Sequence, residues 1–246
     1  MAFPSVQAGD TKSGTVTSNS ATWTLTYPTN LASGDLILAF AGIDGGGTTP
    51  TITGFNVYSN DNGNVECLVA SRISDGTETG TFSMSLGRSE QGGWRVFRIT
   101  GWFGSGLPAS AITTPVDGNG LSLALSTGAS TTPDPPSLDP ANWATEDTLW
   151  FAACGVDTSR TISVFPLADN QSSDVSGGAG GATLGSCSTD SAVGSLDPGT
   201  FTISGSDDWT TYTVAVRPAA GGATVSDVPD LVIARRIPRR RNLNRW

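Results

Sequence analysis

Histidine is absent from this chain, and lysine occurs once, as Lys12. The first absence removes Ser-His-Asp and Cys-His catalytic arrangements together with imidazole metal ligands. The second leaves a Ser-Lys pair only Lys12, in a polar N-terminal stretch that does not supply the desolvation by which a lysine becomes a base. Cys67, Cys154 and Cys187 are odd in number, far apart and in no CxxC pair. Neither a zinc site nor a dithiol redox centre is encoded, and the three read as small buried apolar residues. No cofactor and no metal are expected. No apolar run approaches the ~20 residues of a membrane span. Met1-Ala2-Phe3-Pro4 leads straight into polar sequence without the charged and apolar segments of a secretion signal. The expectation is a protein made in a cytoplasm, not exported by a signal peptide and not membrane-bound.

What is present favours strands. Gly (31) and Pro (14) are abundant, and they disfavour helix interiors, whereas the plentiful Thr, Val and aromatic residues suit a pleated surface. Thr22-Trp23-Thr24-Leu25-Thr26-Tyr27 alternates apolar and hydroxyl side chains, the pattern of a half-buried antiparallel strand. Leu36-Ile37-Leu38-Ala39-Phe40-Ala41 is apolar on both faces and reads as a central strand. Further strands are expected near Thr51 to Tyr58, Val65 to Ile73, Gly80 to Leu86 and Trp94 to Thr100. No stretch has a 3.6-residue period, so the fold class is all-β.

The second half of the chain repeats the first. Asn30-Leu31-Ala32-Ser33-Gly34-Asp35 and Gly42-Ile43-Asp44 correspond to Asn142-Trp143-Ala144-Thr145-Glu146-Asp147 and Gly155-Val156-Asp157, at offsets of 112 and 113. Thr51-Ile52-Thr53-Gly54-Phe55 parallels Thr161-Ile162-Ser163-Val164-Phe165, Gly80-Thr81-Phe82 parallels Gly199-Thr200-Phe201, and Trp94 parallels Trp209. The expected architecture is an internally duplicated antiparallel β-sandwich, jelly-roll-like, of ~12 strands, or else two tandem sandwiches of six to seven strands, with an extended C-terminal arm. The boundaries are a first repeat over 1–104, a Pro/Gly-rich connector over 105–140, a second repeat over 141–222 and a basic arm over 223–246. Consecutive prolines cannot donate to a ladder, so Pro133-Asp134-Pro135-Pro136 belongs to a connector or edge.

Few residues suggest chemistry. Glu146/Asp147 and Asp207/Asp208 are carboxylate pairs, but neighbours on a strand point to opposite faces, and they read as solvated strand ends. Asp61-Asn62-Gly63-Asn64 departs from a calcium loop, with Glu66 where the invariant Gly belongs, and reads as a hairpin turn. Trp23, Trp94, Trp150 and Trp209 fall in or beside strands and are expected in the core. Trp102 and Trp143 lie in connector sequence, which makes them the candidates for stacking on a sugar ring.

Gly34-Asp35-Leu36-Ile37, Trp94 with Val96-Phe97-Arg98-Ile99-Thr100-Gly101, Asp197-Pro198-Gly199-Thr200-Phe201, and Trp209 with Thr213-Val214-Ala215-Val216-Arg217-Pro218 resemble the β-rich structural proteins of tailed bacteriophages and prophages. The resemblance runs from about residue 20 to 218. It implies a virion component of the decoration, collar or tail accessory type, present in several copies among other virion proteins, and it carries no catalytic residue. The arm lies outside it. Residues 1–225 hold twenty acidic and seven basic side chains, a net −13, while the last 21 residues carry +4. Leu231, Val232 and Ile233 form a strand-prone run able to add to another sheet. Arg235, Arg236, Arg239, Arg240, Arg241 and Arg245 suit bidentate contact with carboxylate or phosphate, and Trp246 offers an apolar anchor. The −13 body argues against nucleic acid. The expected function is therefore a non-enzymatic virion protein docked by its arm to capsid, neck or tail. The alternative is a carbohydrate-binding adhesin contacting host glycan through Trp102 and Trp143.

Overall fold

A computed structural model describes residues 1–47, 50–111, 116–175 and 181–220. The first repeat comprises β1 (Ser5–Val6), β2 (Lys12–Thr26), β3 (Leu36–Asp44), β4 (Thr51–Ile52), β5 (Asn56–Asp61), β6 (Val65–Ile73) and β7 (Thr81–Thr100). The second comprises β8 (Val116–Asp117), β9 (Leu121–Ser130), β10 (Glu146–Val156), β11 (Ile162–Val164), β12 (Asp169–Val175), β13 (Thr183–Val193), β14 (Thr202–Ile203) and β15 (Asp207–Val216). The only helical element among the described residues is a 3₁₀ turn at Ala8–Asp10.

The duplication is visible in the topology. One sheet runs β2-β7-β3-β6-β5, with β1 also on β7, and the other runs β9-β15-β10-β13-β12, so equivalent strands take equivalent places. Every pairing between these strands is antiparallel. Asn30 and Asn142 both hold left-handed backbone, with φ of 57° and 65°. The aromatic pair Phe55–Phe82, 5.2 Å between centroids, has its counterpart in Phe165–Phe201 at 5.9 Å. Trp94 and Trp209 each lie directly across from a glycine, Gly14 on β2 and Gly128 on β9, whose missing Cβ makes room for the indole.

The inner faces of the two sheets share one core, which decides for a single sandwich over two tandem ones. Leu38, Phe40, Val69 and Phe97 from the first repeat meet Phe151, Leu184, Tyr212 and Val214 from the second. Phe40, Phe97 and Phe151 form a triangle across the sheets, with centroids 5.2 to 5.8 Å apart. Each such pair adds about 0.5–1.5 kcal/mol beyond its buried area. β3 is flanked by β6 and β7 and buried from Leu36 to Ile43, as its two-faced apolar run predicts. Each sheet also has a covered outer face. Trp23, Leu25, Ile52, Met84 and Leu86 close the first, and Leu138, Ile162, Phe201 and Ile203 close the second.

Three expectations change. The strands expected at Gly80 to Leu86 and Trp94 to Thr100 are one strand, β7, which passes from the outer layer to the inner sheet at Gly92-Gly93. The Gly42 carbonyl occupies the place where a Gly92 Cβ would stand, so no other residue fits the bend. Thr51 to Tyr58 divides into β4 and β5 around a turn at 53–55. Residues 121–130, assigned to the connector, are β9, hydrogen-bonded to β15 over its whole length. The proline run forms no strand. It lies along the outer face of β15, where the Asp134 and Pro136 carbonyls accept hydrogen bonds from Thr211 and Thr213.

The two sheets come into backbone contact at equivalent glycines. A Cβ on Gly42 would stand 3.0 Å from the Thr183 carbonyl oxygen, and one on Gly155 would stand 3.0 Å from that of Glu66. Glu66 and Thr183 are themselves equivalent, paired with Ile43 and Val156. Gly155→Ala should cost about 1–3 kcal/mol in urea denaturation, because backbone cannot yield as a side-chain tip does. Gly9, with open space around it, supplies the control, since Gly9→Ala should change stability by no more than about 0.5 kcal/mol. Equal costs at both positions would contradict the close-approach account.

Candidate functional site

The described chain reaches Ala220, so the arm and with it Leu231, Val232, Ile233, Arg235, Arg236, Arg239, Arg240, Arg241, Arg245 and Trp246 lie outside the described residues. The root from which the arm departs is well defined. Arg217 follows β15 and places its guanidinium on Glu146, with Nε 2.8 Å and Nη2 2.5 Å from the two carboxylate oxygens. The same guanidinium lies 4.9 Å from the Phe103 ring and 5.6 Å from the Trp143 ring. Its backbone N–H donates to Gly120, and its carbonyl accepts from Phe103. Pro218 then bridges Trp102, and the Ala219 N–H donates to Gly101 at 2.8 Å. Residues 217–219 are thus pinned to the seam where the first repeat ends and the connector begins.

This geometry corrects the sugar-stacking assignment of Trp102. Trp102 is 4% exposed, belongs to the inter-sheet core and donates its indole N–H to Gly34 at 2.8 Å. Trp143 is half-buried, donates to Gly118 at 3.1 Å and shares the Arg217 cation. One indole has no free face, and the other already has a partner. Trp23, Trp94, Trp150 and Trp209 are in the core as expected. Glu146 is no solvated strand end either, being buried and held by Arg217, which keeps its carboxyl below the usual range. Asp147 pairs with the N-terminal ammonium at 2.8 Å.

The opposite end of the sandwich carries a carboxyl cluster that the sequence hides. Asp44 ends β3 and Asp157 follows β10, which brings their carboxyls to the same end of the sandwich. Partial burial raises the Asp44 carboxyl above its usual range. Partial burial, with Asp207, Asp44 and Asp208 nearby, pushes Asp157 up to about 6. Asp207 is held by Arg160 at 2.7 Å and by Thr158, and Asp208 accepts from Asn64 at 2.7 Å. Glu66, fully buried on β6 and hydrogen-bonded to Ser59, is pushed up to about 8 by its removal from water. The signals were a Gly-x-Asp repeated at equivalent strand ends and a charged residue inside Val65-Glu66-Cys67-Leu68. Burial drives the Cys67 and Cys187 thiols up to about 12 and Cys154 well above its ordinary value, so none supplies a thiolate at neutral pH. Among the described residues, no group of three His, Cys, Asp or Glu side chains is placed to hold a metal.

No protein-family profile, curated protein or solved structure matches the chain. The fold and its two ends define a duplicated β-sandwich with a clamped arm root at one end and a cluster of carboxyls at the other.

The carboxyls set an unusual pH dependence. Asp157 and Glu66 sit above their ordinary values in the folded chain, so folding takes up protons and stability falls as pH rises. The fall spans about pH 4 to 6 for Asp157 and about 4.5 to 8 for Glu66. Asp10, held low by Thr29 and Arg98, and Glu146, held low by Arg217, act oppositely and lose their contribution as pH drops through the acid range. Tm should peak near about pH 4 to 5 and decline by several degrees towards pH 8. Glu66→Gln should remove the decline above about pH 6 and lessen it below, whereas Asp157→Asn should lessen only the part below about pH 6. A wild-type Tm that rises from pH 5 to 8 in a thermal scan would contradict this.

Proposed function

We propose that this chain is a non-enzymatic structural protein of a tailed-phage virion, a decorating or accessory component whose duplicated body is held on capsid, neck or tail by its C-terminal arm. The observation that carries the reading is the arm root. A tether is only as strong as its attachment, and here Arg217, Pro218 and Ala219 are fastened to Phe103, Trp102, Gly101, Glu146 and Gly120. Load on the arm therefore passes into both repeats at once and not into β15 alone. The charge division supports the same reading. A basic, strand-prone arm is suited to an acidic or open-edged protein surface, while a −13 body keeps displayed copies apart. The resemblance of the strand motifs to virion proteins supplies the setting.

Deletion of residues 225–246 tests it. The truncated chain should fold with unchanged Tm, because no described contact is removed, and should no longer copurify with assembled particles. Full incorporation of the truncated chain would refute the anchor.

A further inference from the structure

A cavity of about 440 Å³ lies beside the edge strand β5, between the 53–55 turn and the connector. Ile52, Phe55, Val57 and Ala111 give it apolar walls, and Ser59 and Ser110 are among its few polar groups. Its walls are fixed on both sides. Ile52 pairs with Met84 on β7, and Phe55 stacks on Phe82 with 5.2 Å between centroids and 16° between planes. Across from them, residues 108–111 are tied to β5. The Pro108 carbonyl accepts from Asn56 at 2.8 Å and from Tyr58 at 2.6 Å. Ser110 Oγ accepts from the Val57 N–H at 2.9 Å, and the Ala111 N–H donates to the Val57 carbonyl at 3.2 Å. The cavity is thus formed before anything enters it.

Among the hydroxyl-bearing residues of the lining, Thr51 and Ser110 are exposed, whereas Ser59 is buried. Ser59 therefore marks the floor and Ser110 the rim. The Ser59 hydroxyl bonds to Glu66, which is fully buried on the neighbouring strand β6. A carboxyl taken out of water costs stability, and its burial here raises Glu66 to about 8. The framework does not need an acid at this place, because the equivalent position on β13 is Thr183. The volume lies within the range of small-ligand sites. Apolar walls with an aromatic ring, a few placed polar groups and a perturbed carboxyl behind one of them are the usual marks of such a site.

We propose that the cavity beside β5 binds a small uncharged phenol or alcohol, with its apolar body against Ile52, Phe55 and Val57 and its hydroxyl on Ser59. Ser59 either donates to an ionised Glu66 and accepts from the ligand, or accepts from a protonated Glu66 and donates to the ligand. A hydroxyl suits both arrangements, since it both donates and accepts. No side chain of the lining is charged, so a ligand ion would lose its water without a counter-charge in contact. A carboxylate would also meet the −13 charge of residues 1–225. The inference goes beyond the virion reading and is independent of the arm.

Calorimetric titration of the full-length chain with p-cresol tests it, with toluene, p-toluate and benzylamine as the apolar, anionic and cationic comparisons. p-Cresol should saturate a single site in the millimolar range. Ser59→Ala should weaken p-cresol binding about tenfold. Toluene, which lacks the hydroxyl, should behave alike toward both proteins, a split that a loosened fold would not produce. Ala111→Phe, at a half-buried position of the wall, should fill the cavity and abolish p-cresol binding at unchanged Tm. If Ser59→Ala does not fold, Ala111→Phe alone decides. Absence of saturable p-cresol binding at millimolar concentration, wild-type affinity in either variant, equal losses of p-cresol and toluene in Ser59→Ala, or tighter binding of p-toluate or benzylamine would each overturn the assignment.

Discussion

The structure depends on two glycines, Gly42 and Gly155, that let a central strand of each repeat rest against the backbone of the other repeat. Sheets normally stack about 10 Å apart, a distance set by interleaved side chains. Here the side chain is missing at equivalent places on β3 and β10, and carbonyl groups of Thr183 and Glu66 come within van der Waals reach. The arrangement is reciprocal, as in the self-complementary interface of a two-fold dimer, but both partners belong to one chain. Below this contact the sheets are held apart by the aromatic triangle of Phe40, Phe97 and Phe151.

That reciprocity explains where the molecule tolerates asymmetry. Inside the interface the repeats must match, and they do in strand order and at the glycine contact. Glu66 and Thr183 share the contact yet differ in chemistry. Thr183 uses its hydroxyl to hold the 158–160 turn of its own repeat, whereas Glu66 carries a buried carboxyl that its removal from water pushes up to about 8. Away from the interface the copies diverge freely. The first has grown a hydroxyl-faced layer, and the second has grown the clamp around Arg217. A duplicated scaffold thus keeps one core while its two outer surfaces and two ends differ.

Much of this was legible in the residues. The central strand Leu36 to Ala41, the half-buried alternation at Thr22 to Tyr27 and the repeated blocks each reflect a local periodicity, and periodicity reports burial directly. β9 was hidden because Gly and Pro around it looked like a linker, although Leu121, Leu123 and Leu125 alternate. The first half of β2, Lys12 to Ala21, has almost no apolar signal, and its strand is held by the backbone ladder with β7. Trp102 was misplaced for a related reason. It sits outside any strand pattern, and its burial comes from Gly34 and from Pro218, which follows β15. The carboxyl pair was invisible because Asp44 and Asp157 are 113 residues apart, and each by itself is an ordinary turn residue.

By itself the sequence determined the all-β class, the duplication, the core tryptophans, the absence of histidine chemistry and the separation of an acidic body from a basic arm. These follow from composition and short-range alternation, which depend on neighbours a few residues away. The tertiary structure alone decided that the repeats form one sandwich, that Trp102 is core, that Arg217 locks the arm root and that two aspartates meet at one end of the sandwich. Each of those depends on which surfaces meet. A pattern of period two states that a face is buried, but it carries no information about the face that buries it.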